Sequence, residues 1–518
     1  MNALLVLYSG NLSSYAREPL SNGKNALQLC VERGTSFPGV NKTVLLTPSD
    51  GDFSGLNGIQ VEQSDSWTKR SVLQRISELQ EGFNCIYFAY ADCPFLDPSL
   101  AGVIAERHIR YAAEYSYADG WPYGLAPEIL SPGTAGILVK ILGEDGPVER
   151  DMLFSVIQKD INAFDIETEI SSVDLRCHRL NFCADSKRNL LLLNNFLKAS
   201  GGKIPSASDA ENIIENNSEI LKTLPSFFPI QVYGGCPQKC AICPYPLFTD
   251  ALGRNDYMEK RKFESILDKI VLFSNDAVID LSMWGELSLH PQKLELIEAV
   301  LSRNTLSLVI ETSGIGWKTE ELEKCAGLCA QYAQNRNTPF PSLSWIVSLD
   351  TIDQTRYATI RGAGYAEASA CVNKLFSIFP KDCYVQAVRI KGGEDDTEKF
   401  YRHFKDASPC GEKNIIIQKY DDFCGSMDKK QASDISPVIR KSCWHIMRDL
   451  PILIDGSVPL CREDMTVFND GKDRILGNIF SDSLETIWQN GQNYYREHCN
   501  KSYPGICANC DEYYTFNF

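Results

Sequence analysis

Short apolar runs and amphipathic stretches alternate along most of the chain, most regularly between residues 226 and 425. Six apolar runs of strand length occur there: IQVYG, AVIDLSMWG, LSLVIETSG, LSWIVSLD, YVQAVRIKG and NIIIQKY. Five stretches of helical periodicity separate them. Parallel neighbours in a sheet need crossover connections, so this alternation predicts a parallel α/β sheet. Ligands of such sheets bind at the carboxyl ends of the strands.

The same pattern divides the chain into four parts. Residues 1–200 also alternate apolar runs with helical stretches, which predicts a first α/β domain. Residues 201–225 are polar and are interpreted as a connector with one helix. Residues 226–425 form the second α/β domain, and residues 426–518 lose the alternation and become rich in loops and cysteine. The predicted fold class is α/β, followed by a small cysteine-rich domain.

Composition narrows the classes of function. The 518 residues include 51 Lys and Arg against 67 Asp and Glu, a formal charge of −16, which disfavours nucleic acid and anionic lipid as partners. No apolar run reaches the length of a membrane span, and MNALLVLYSG lacks the basic segment of a signal peptide. We therefore expect a cytoplasmic protein without nucleic-acid or membrane partners. Cytosolic cysteines stay reduced, so clusters among the 19 cysteines indicate metal.

Three cysteines, Cys236, Cys240 and Cys243, crowd the segment GGCPQKCAICPY at residues 234–245. Three thiolates leave one position open on a four-coordinate metal, or borrow a distant fourth ligand as in a zinc knuckle. Thiolates at such short spacings also hold iron–sulfur clusters, and a [4Fe-4S] cluster bound through three cysteines keeps one iron available for a further ligand. The spacing favours an iron–sulfur centre, with zinc as the alternative.

This Cys-x3-Cys-x2-Cys spacing after a first strand resembles the radical SAM superfamily, whose fold is a partial (β/α)6 barrel. Gly285 and Glu286 in MWGEL resemble the element that meets the amino group of S-adenosylmethionine, with Trp284 where a glycine is usual. The resemblance implies a [4Fe-4S] cluster at the three cysteines and S-adenosylmethionine as cofactor. It also implies an electron donor such as a flavodoxin or ferredoxin.

Four further residues resemble superfamily positions in their order along the strands. Thr312 and Ser313 in IETSG, and Ser348 in VSLDTID, resemble positions near the methionine and ribose of the cofactor. Arg361 in ATIRG is the candidate for a carboxylate contact. Taken singly, Thr312 or Ser313 also fits a turn residue, and Arg361 a solvated charge. The resemblance implies reductive cleavage of S-adenosylmethionine to a 5′-deoxyadenosyl radical, which abstracts hydrogen from a substrate.

Four cysteines near the carboxyl end form two pairs. Cys443 and Cys461 flank a predicted hairpin with its turn at 455–456, and Cys507 and Cys510 form a Cys-x2-Cys pair. Four thiolates close the shell of one metal centre, and this spacing alone also permits a zinc ribbon. The stretch resembles the SPASM and shorter twitch domains, which implies one auxiliary [4Fe-4S] cluster on these four cysteines. Nearby cysteines without an assigned place are Cys410, Cys424 and, as a candidate extra or replacement ligand, Cys499.

The stretch CIYFAYADCPFLDP places Asp92 at the end of a buried strand. It resembles the nucleotide-diphospho-sugar transferases, particularly cytidylyltransferases, in which this aspartate binds the divalent cation that bridges nucleotide phosphates. Asp185 in LNFCADSKRN is the candidate second carboxylate, and the resemblance implies Mg²⁺ at this pair. The phosphate loop departs from the family pattern, with Gly10, Arg17 and Lys24 in altered order. An active or substrate-binding transferase domain and a degenerate scaffold both stay open.

Across the whole chain the resemblance is to the spiro-SPASM group, in which a transferase-like domain precedes the barrel. It implies a radical SAM enzyme acting on a small molecule, sugar- or nucleotide-linked, or on a peptide. A transferase with structural clusters and a metal-stabilised interaction protein are the alternatives. Asp350 and Asp353 fit either a general base or a helix cap. Gln386 and Arg389 fit either a substrate cavity or core packing.

Overall fold

The computed structural model describes residues 1–10, 12–49, 53, 55–56, 58–248, 255–338, 340–468 and 474–515. The chain forms two compact units, Met1–Thr223 and Leu224–Phe518, which we call unit 1 and unit 2. Unit 2 contains both the six predicted strands and the cysteine-rich end of the chain.

One mixed sheet runs through the described part of unit 1. Its strands are β1 Ala3–Tyr8, β2 Val40–Pro48, β3 Gln60–Ser64, β4 Cys85–Tyr90, β5 Tyr115–Asp119, β6 Glu128–Leu130 and β7 Ile166–Ile170. The order is β3-β2-β1-β4-β6-β5-β7, with β6 antiparallel to both neighbours and the other pairs parallel. Every residue of β1 and β4 is buried, so both faces of the sheet are covered at its centre.

Helices cover this sheet. Those described in unit 1 are α1 Ala26–Thr35, α2 Lys69–Leu79, α3 Pro98–Arg110, α4 Thr134–Ile141, α5 Met152–Ile157, α6 Lys187–Ala199 and α7 Ala207–Asn216. Asp97 caps α3 by accepting the backbone N–H of Ser99, and its second oxygen accepts the N–H of Ala207 at 2.7 Å. One buried carboxylate therefore ties the start of α7 to the start of α3.

Strand order reverses in unit 1 between β1 and β4. From β1 the chain continues to β2 on one side, and it later returns to β4 on the other side. Such a switch point leaves a crevice at the carboxyl ends of the two strands. Asp92 follows β4 at this place and is buried.

Unit 2 is built on a six-stranded parallel sheet, as the sequence predicts. Its strands are β8 Phe227–Pro229, β9 Ala277–Asp280, β10 Leu306–Thr312, β11 Leu343–Ser348, β12 Cys383–Arg389 and β13 Ile415–Lys419. They lie in chain order, β8 to β13, and every neighbouring pair is parallel. This is the predicted partial (β/α)6 barrel. β8 lies before the predicted run IQVYG, because Ile230 and Tyr233 form isolated bridges with Ile452 and Tyr257 instead.

The described helices of unit 2 are α8 Tyr245–Phe248, α9 Lys260–Ser274, α10 Lys293–Leu301, α11 Thr319–Tyr332, α12 Gln354–Ile360, α13 Tyr365–Ile378, α14 Glu394–Ala407, α15 Trp444–Arg448, α16 Leu484–Asn490 and α17 Gln492–Cys499. The sequence predicts α9, α10, α11, α13 and α14 as crossovers, but not α12. Trp345 on β11 is fully buried in the core between sheet and helices. That core continues into the cysteine-rich end through Ile452, Val458 and Ile487.

The cysteine-rich end is joined to the first barrel strand by backbone hydrogen bonds. The N–H of Leu450 donates to the carbonyl of Phe227 at 3.0 Å, and that of Ile452 to Pro229 at 2.8 Å. The chain then turns at Asp455–Gly456, where Gly456 has a φ of 85°. After the turn, β14 Ser457–Pro459 pairs antiparallel with β15 Ile475–Asn478.

Candidate functional site

The loop with three cysteines follows the end of β8 and is held on both sides. The N–H of Gly234 donates to the carbonyl of Asp256 at 2.9 Å, and the N–H of Ala241 donates to the carbonyl of Ile360 at 2.8 Å. The hydroxyl of Tyr245 donates back to the carbonyl of Gly234 at 2.9 Å. Buried Met465, from the cysteine-rich end, packs against the same loop. The loop therefore lies between the barrel and the segment that follows it.

The thiols of this loop are half-buried and close together, but they do not converge on one point. Burial raises the pKa of Cys236 and of Cys243 to about 12, so these thiols are protonated unless a metal displaces the proton. Among the described residues, the groups of three potential ligands within 4.8 Å of one another lie elsewhere. Thiolates on one zinc ion would lie about 3.8 Å apart, given a Zn–S bond of about 2.3 Å. The wider spacing suits a larger inorganic core.

Gly285 lies against the backbone that leads into the cysteine loop. A Cβ at this position would be 1.8 Å from the carbonyl oxygen of Tyr233. The next residue, Glu286, donates its N–H to the carbonyl of Gly235 at 2.8 Å. Trp284 has a φ of 53°, in the left-handed region that favours glycine, which is the residue the superfamily usually has there. Close approach of two loops therefore fixes a glycine at 285.

The Glu286 carboxylate is buried and anchored by the end of β10. The hydroxyl of Thr312 donates to its Oε1 at 2.6 Å, while the N–H and hydroxyl of Ser313 donate to Oε2 at 2.8 Å and 2.7 Å. Burial raises the pKa of Glu286, although these hydrogen bonds oppose the shift. Thr312 and Ser313 therefore orient a carboxylate rather than simply forming a turn. A buried carboxylate of fixed orientation can bind an ammonium group.

The next strand ends carry a second polar group. The hydroxyl of Ser348 and the amide of Gln386 both donate to Glu311 Oε1, each at 2.7 Å, and Gln386 also lies 3.2 Å from the Ser348 hydroxyl. The three residues come from β10, β11 and β12 in turn. Sequence analysis missed Glu311, although it lies within the quoted IETSG. The signal that could have found it is its position two residues before Ser313, at the same strand end.

Arg361 is buried and paired, which rules out the reading as a solvated charge. Its Nε lies 2.5 Å from Asp350 Oδ2, and its Nη1 is 3.9 Å from Cys240 Sγ. Asp350 also accepts the N–H of Val388 at 2.7 Å, so it is an anchored ion-pair partner. Asp353 caps α12 by accepting the N–H of Arg356 at 2.7 Å. Arg361 therefore places a positive charge beside the cysteine loop.

A cavity of about 250 Å³ joins these groups. The three cysteines, Glu286, Ser348 and Arg361 line it. Charged residues at or after the ends of β13 and β14 also line it, namely Lys419, Asp421, Arg462 and Glu463. Burial and the neighbouring Glu463 carboxylate raise the pKa of Asp421 well above its ordinary value. Lys419 forms an ion pair with Asp511 at 3.0 Å and another with Glu512. The cavity therefore combines charged groups with apolar side chains such as Met283, Trp284 and Phe423.

The four cysteines predicted at the carboxyl end lie near one another, although, as in the cysteine loop, no three of these described thiols fall within 4.8 Å of one another. Cys443 caps the start of α15 and is buried, and the thiols of Cys507 and Cys510 lie near enough to raise its pKa beyond the effect of burial. Burial also raises the pKa of Cys461, and the nearby Glu463 carboxylate and the thiols of Cys443 and Cys510 raise it further.

A fifth thiol, that of Cys424, lies within hydrogen-bonding reach of Cys510. Sequence analysis left Cys424 unassigned, because its distance along the chain gave no signal. Cys410 and Cys499 have other neighbours: the thiol of Cys410 donates to the carbonyl of Pro380 at 3.4 Å, and Cys499 lies beside Tyr495.

The two aspartates predicted to bind Mg²⁺ in unit 1 come together around an arginine. The guanidinium of Arg150 contacts both Asp92 and Asp185. Of the basic residues in the altered phosphate loop, Arg17 lies over the ring of Phe53, and Lys24 forms an exposed ion pair with Glu32 at 2.7 Å.

Two comparisons relate the chain to other proteins. It is 32% identical over 373 residues to an uncharacterized protein of Treponema pallidum (strain Nichols), and the aligned segment covers 71% of this chain and 98% of that protein. The chain belongs to one family with this Treponema protein. A model of the SPASM iron-sulfur cluster-binding domain matches residues 443–511, the stretch that holds the four predicted cysteines. The chain therefore carries a SPASM domain, which is an iron-sulfur cluster-binding domain.

Two solved structures are also similar to this chain. One is a cytidylyltransferase from Leptospira borgpetersenii serovar Hardjo-bovis (strain JB197), with a TM-score of 0.37 and 16% identity, covering 42% of this chain and 95% of that one. The other is BtrN in complex with AdoMet and 2-DOIA, with a TM-score of 0.36 and 15% identity. The match covers 56% of this chain and 94% of that one. Neither likeness bears on the activity of this chain. None of the helices that the structure describes has the length and apolar character needed to cross a bilayer.

Proposed function

We propose that this protein is an enzyme that cleaves S-adenosylmethionine reductively and abstracts hydrogen from a small, polar, hydroxyl-bearing substrate. The observation that carries the proposal is that the cysteine loop, the buried Glu286 carboxylate and the charged wall around Asp421 all line one cavity. A sugar or a nucleotide-linked sugar is the substrate class that we favour over a peptide.

The residues around the cysteine loop fit the two cofactors. Cys236, Cys240 and Cys243 would hold a [4Fe-4S] cluster with one iron left open. Glu286 would accept the amino group of S-adenosylmethionine. When bound, these groups supply the electron that cleaves the sulfonium and the 5′-deoxyadenosyl radical that abstracts hydrogen.

Other residues of the same wall would position the cofactor. Ser348 would contact the ribose, and Thr312 and Ser313 would keep Glu286 in place. Arg361 uses its Nε for Asp350, which leaves N–H groups on its Nη atoms as donors to the cofactor carboxylate. Its positive charge also offsets the negative charge of the thiolates beside it.

Other lining residues of the cavity indicate the substrate. Gln386, Lys419, Asp421 and Arg462 place amide, ammonium, carboxyl and guanidinium groups in the lining. Such groups bind hydroxyl and phosphate groups by hydrogen bonds and ion pairs.

The four neighbouring cysteines of the SPASM domain would hold one auxiliary [4Fe-4S] cluster. Its ligands would be Cys443, Cys461, Cys507 and Cys510, with Cys424 as a neighbouring thiol that is not a ligand. We further propose that a flavodoxin or ferredoxin supplies electrons to the protein.

Anaerobic reconstitution of the full chain tests this function. We expect about eight irons per chain, the content of two [4Fe-4S] clusters, and 5′-deoxyadenosine after addition of dithionite. Replacing Cys236, Cys240 and Cys243 by alanine should remove about four irons and abolish 5′-deoxyadenosine. The matched control replaces Cys177, Cys329 and Cys410, which also removes three thiols but should leave both readouts unchanged. Zinc in place of iron, with intact S-adenosylmethionine, would reject the proposal.

A further inference from the structure

The carboxylates of unit 1 that resemble a metal site already hold a cation from the protein itself. Arg150 Nη1 lies 3.2 Å from Asp92 Oδ1, and its Nη2 lies 2.5 Å from Asp92 Oδ2. The same Nη2 lies 3.2 Å from Asp185 Oδ2. The guanidinium is therefore bidentate on one aspartate and bridges to the other, which is the geometry of a strong arginine–carboxylate pair.

The surroundings fix Arg150 in this position. The guanidinium lies over the rings of Tyr90 and Tyr123, at 5.5 Å and 5.8 Å from their centroids, where a cation is attracted to the ring faces. Asp92 is 2% exposed, so its charge needs a partner within the protein. A mobile surface arginine would not meet these conditions.

Both carboxylate oxygens of Asp185 also accept hydrogen bonds from side-chain amides. The amide of Asn189 donates to its Oδ1 at 2.7 Å, and the amide of Asn181 donates to its Oδ2 at 3.2 Å. Mg²⁺ requires near-octahedral oxygen ligands at about 2.0–2.1 Å. Two carboxylates whose oxygens already accept N–H groups do not offer that arrangement unless Arg150 leaves.

The other side chains at this place are soft donors. The Sγ atoms of Cys93 and Cys183 are 3.4 Å apart and buried, and Cys93 Sγ lies 3.8 Å from Asp92 Oδ1. Thiols are poor ligands for Mg²⁺, which prefers carboxylate, carbonyl and water oxygens. The residues present therefore do not fit the divalent cation that the resemblance to cytidylyltransferases implies.

We infer that Arg150 is a built-in cation that occupies the place of the metal between Asp92 and Asp185. Unit 1 then takes no Mg²⁺ at this pair and does not carry out metal-dependent nucleotidyl transfer. Buried Asp92 and partly exposed Asp185 serve instead to hold the end of β4 and the start of α6 together through Arg150. This inference favours a degenerate scaffold over an active transferase domain as the role of unit 1.

The test measures binding of Mn²⁺, as a substitute for Mg²⁺, to the full-length protein by electron paramagnetic resonance, with and without CTP. At up to about 1 mM Mn²⁺, the wild type and the variant Asp92→Asn/Asp185→Asn should bind the same number of ions. Arg150→Met should gain one site, and adding Asp92→Asn/Asp185→Asn to it should remove that site. Arg150→Lys, which keeps a positive charge, should resemble the wild type.

A Mn²⁺ site in the wild type that Asp92→Asn/Asp185→Asn removes would overturn the inference. Circular dichroism shows whether Arg150→Met folds. If it does not fold, the comparison of the wild type with Asp92→Asn/Asp185→Asn still decides the question. Transfer of a nucleotide from CTP to a sugar phosphate by the wild type, lost in Asp92→Asn, would also refute the inference.

Discussion

Replacing Gly285 by alanine should disrupt the junction between the cysteine loop and the end of β9. The new Cβ would lie 1.8 Å from the Tyr233 carbonyl oxygen, whereas packed Cβ atoms essentially never approach below 3.0 Å. The two backbones must therefore separate by at least 3.0 − 1.8 = 1.2 Å. A displacement of this size stretches the 2.8 Å hydrogen bond from Glu286 N–H to Gly235 beyond its useful range.

The cost can be estimated from its two parts. Loss of the hydrogen bond costs about 1 kcal/mol, and overfilling a close-packed contact costs about 1–3 kcal/mol. We expect Gly285→Ala to lower the free energy of unfolding of unit 2 by about 2–4 kcal/mol. A displacement of about 1 Å at a reacting centre costs about 100-fold in rate, so 5′-deoxyadenosine formation should fall at least that far.

Denaturant unfolding followed by tryptophan fluorescence measures the loss of stability. Five of the seven tryptophans lie in unit 2, so its unfolding dominates the signal. The matched control is Gly327→Ala on α11, where an added Cβ meets nothing within 4 Å and should stabilise by up to about 1 kcal/mol. A Gly285→Ala protein that unfolds and cleaves S-adenosylmethionine like the wild type would refute the close contact.

Two further predictions concern other parts of the molecule. Burial lowers the pKa of His108 to about 4, against about 6.5 in the unfolded chain, so the unfolded state binds more protons in between. Unit 1 should lose up to about 3 kcal/mol of stability as the pH falls through this window. His108→Gln should flatten that part of the denaturation profile, and an unchanged slope would contradict the assignment. Cys424→Ala should keep about eight irons while Cys443→Ala keeps about four, and loss of four irons in Cys424→Ala would make it a ligand.

The barrel strands could be predicted from the sequence because each is a short, buried, apolar run bounded by turn residues. The same property made the site residues visible, since parallel strands deliver their carboxyl ends to one edge. Helix α12 was missed because Gln354–Ile360 has only seven residues and buries only Tyr357 and Ile360, too few positions to show a helical period. The start of β8 was misplaced because IQVYG is apolar for a different reason, namely its contacts with the cysteine-rich end.

Partners far apart in the chain could not be predicted. The pairing of Arg361 with Asp350 depends on how α12 returns the chain to the strand ends, and that helix was not foreseen. Arg150 lies 58 residues from Asp92, in a stretch without a motif, so nothing marked it as the cation between the two aspartates. Spacing patterns report ligands that are close in sequence, whereas charge compensation in a folded protein depends on tertiary contacts.

The backbone bonds between Phe227–Pro229 and the residues around Ile452 have a consequence for synthesis of the protein. The strand that carries the cysteine loop obtains this edge partner 222 residues later, since Phe227 pairs with Asp449 (449 − 227 = 222). Until the ribosome has released that segment, one edge of the nascent barrel stays open, and open edges recruit other strands. A chain shortened before residue 449 would lack this edge partner and would be prone to self-association.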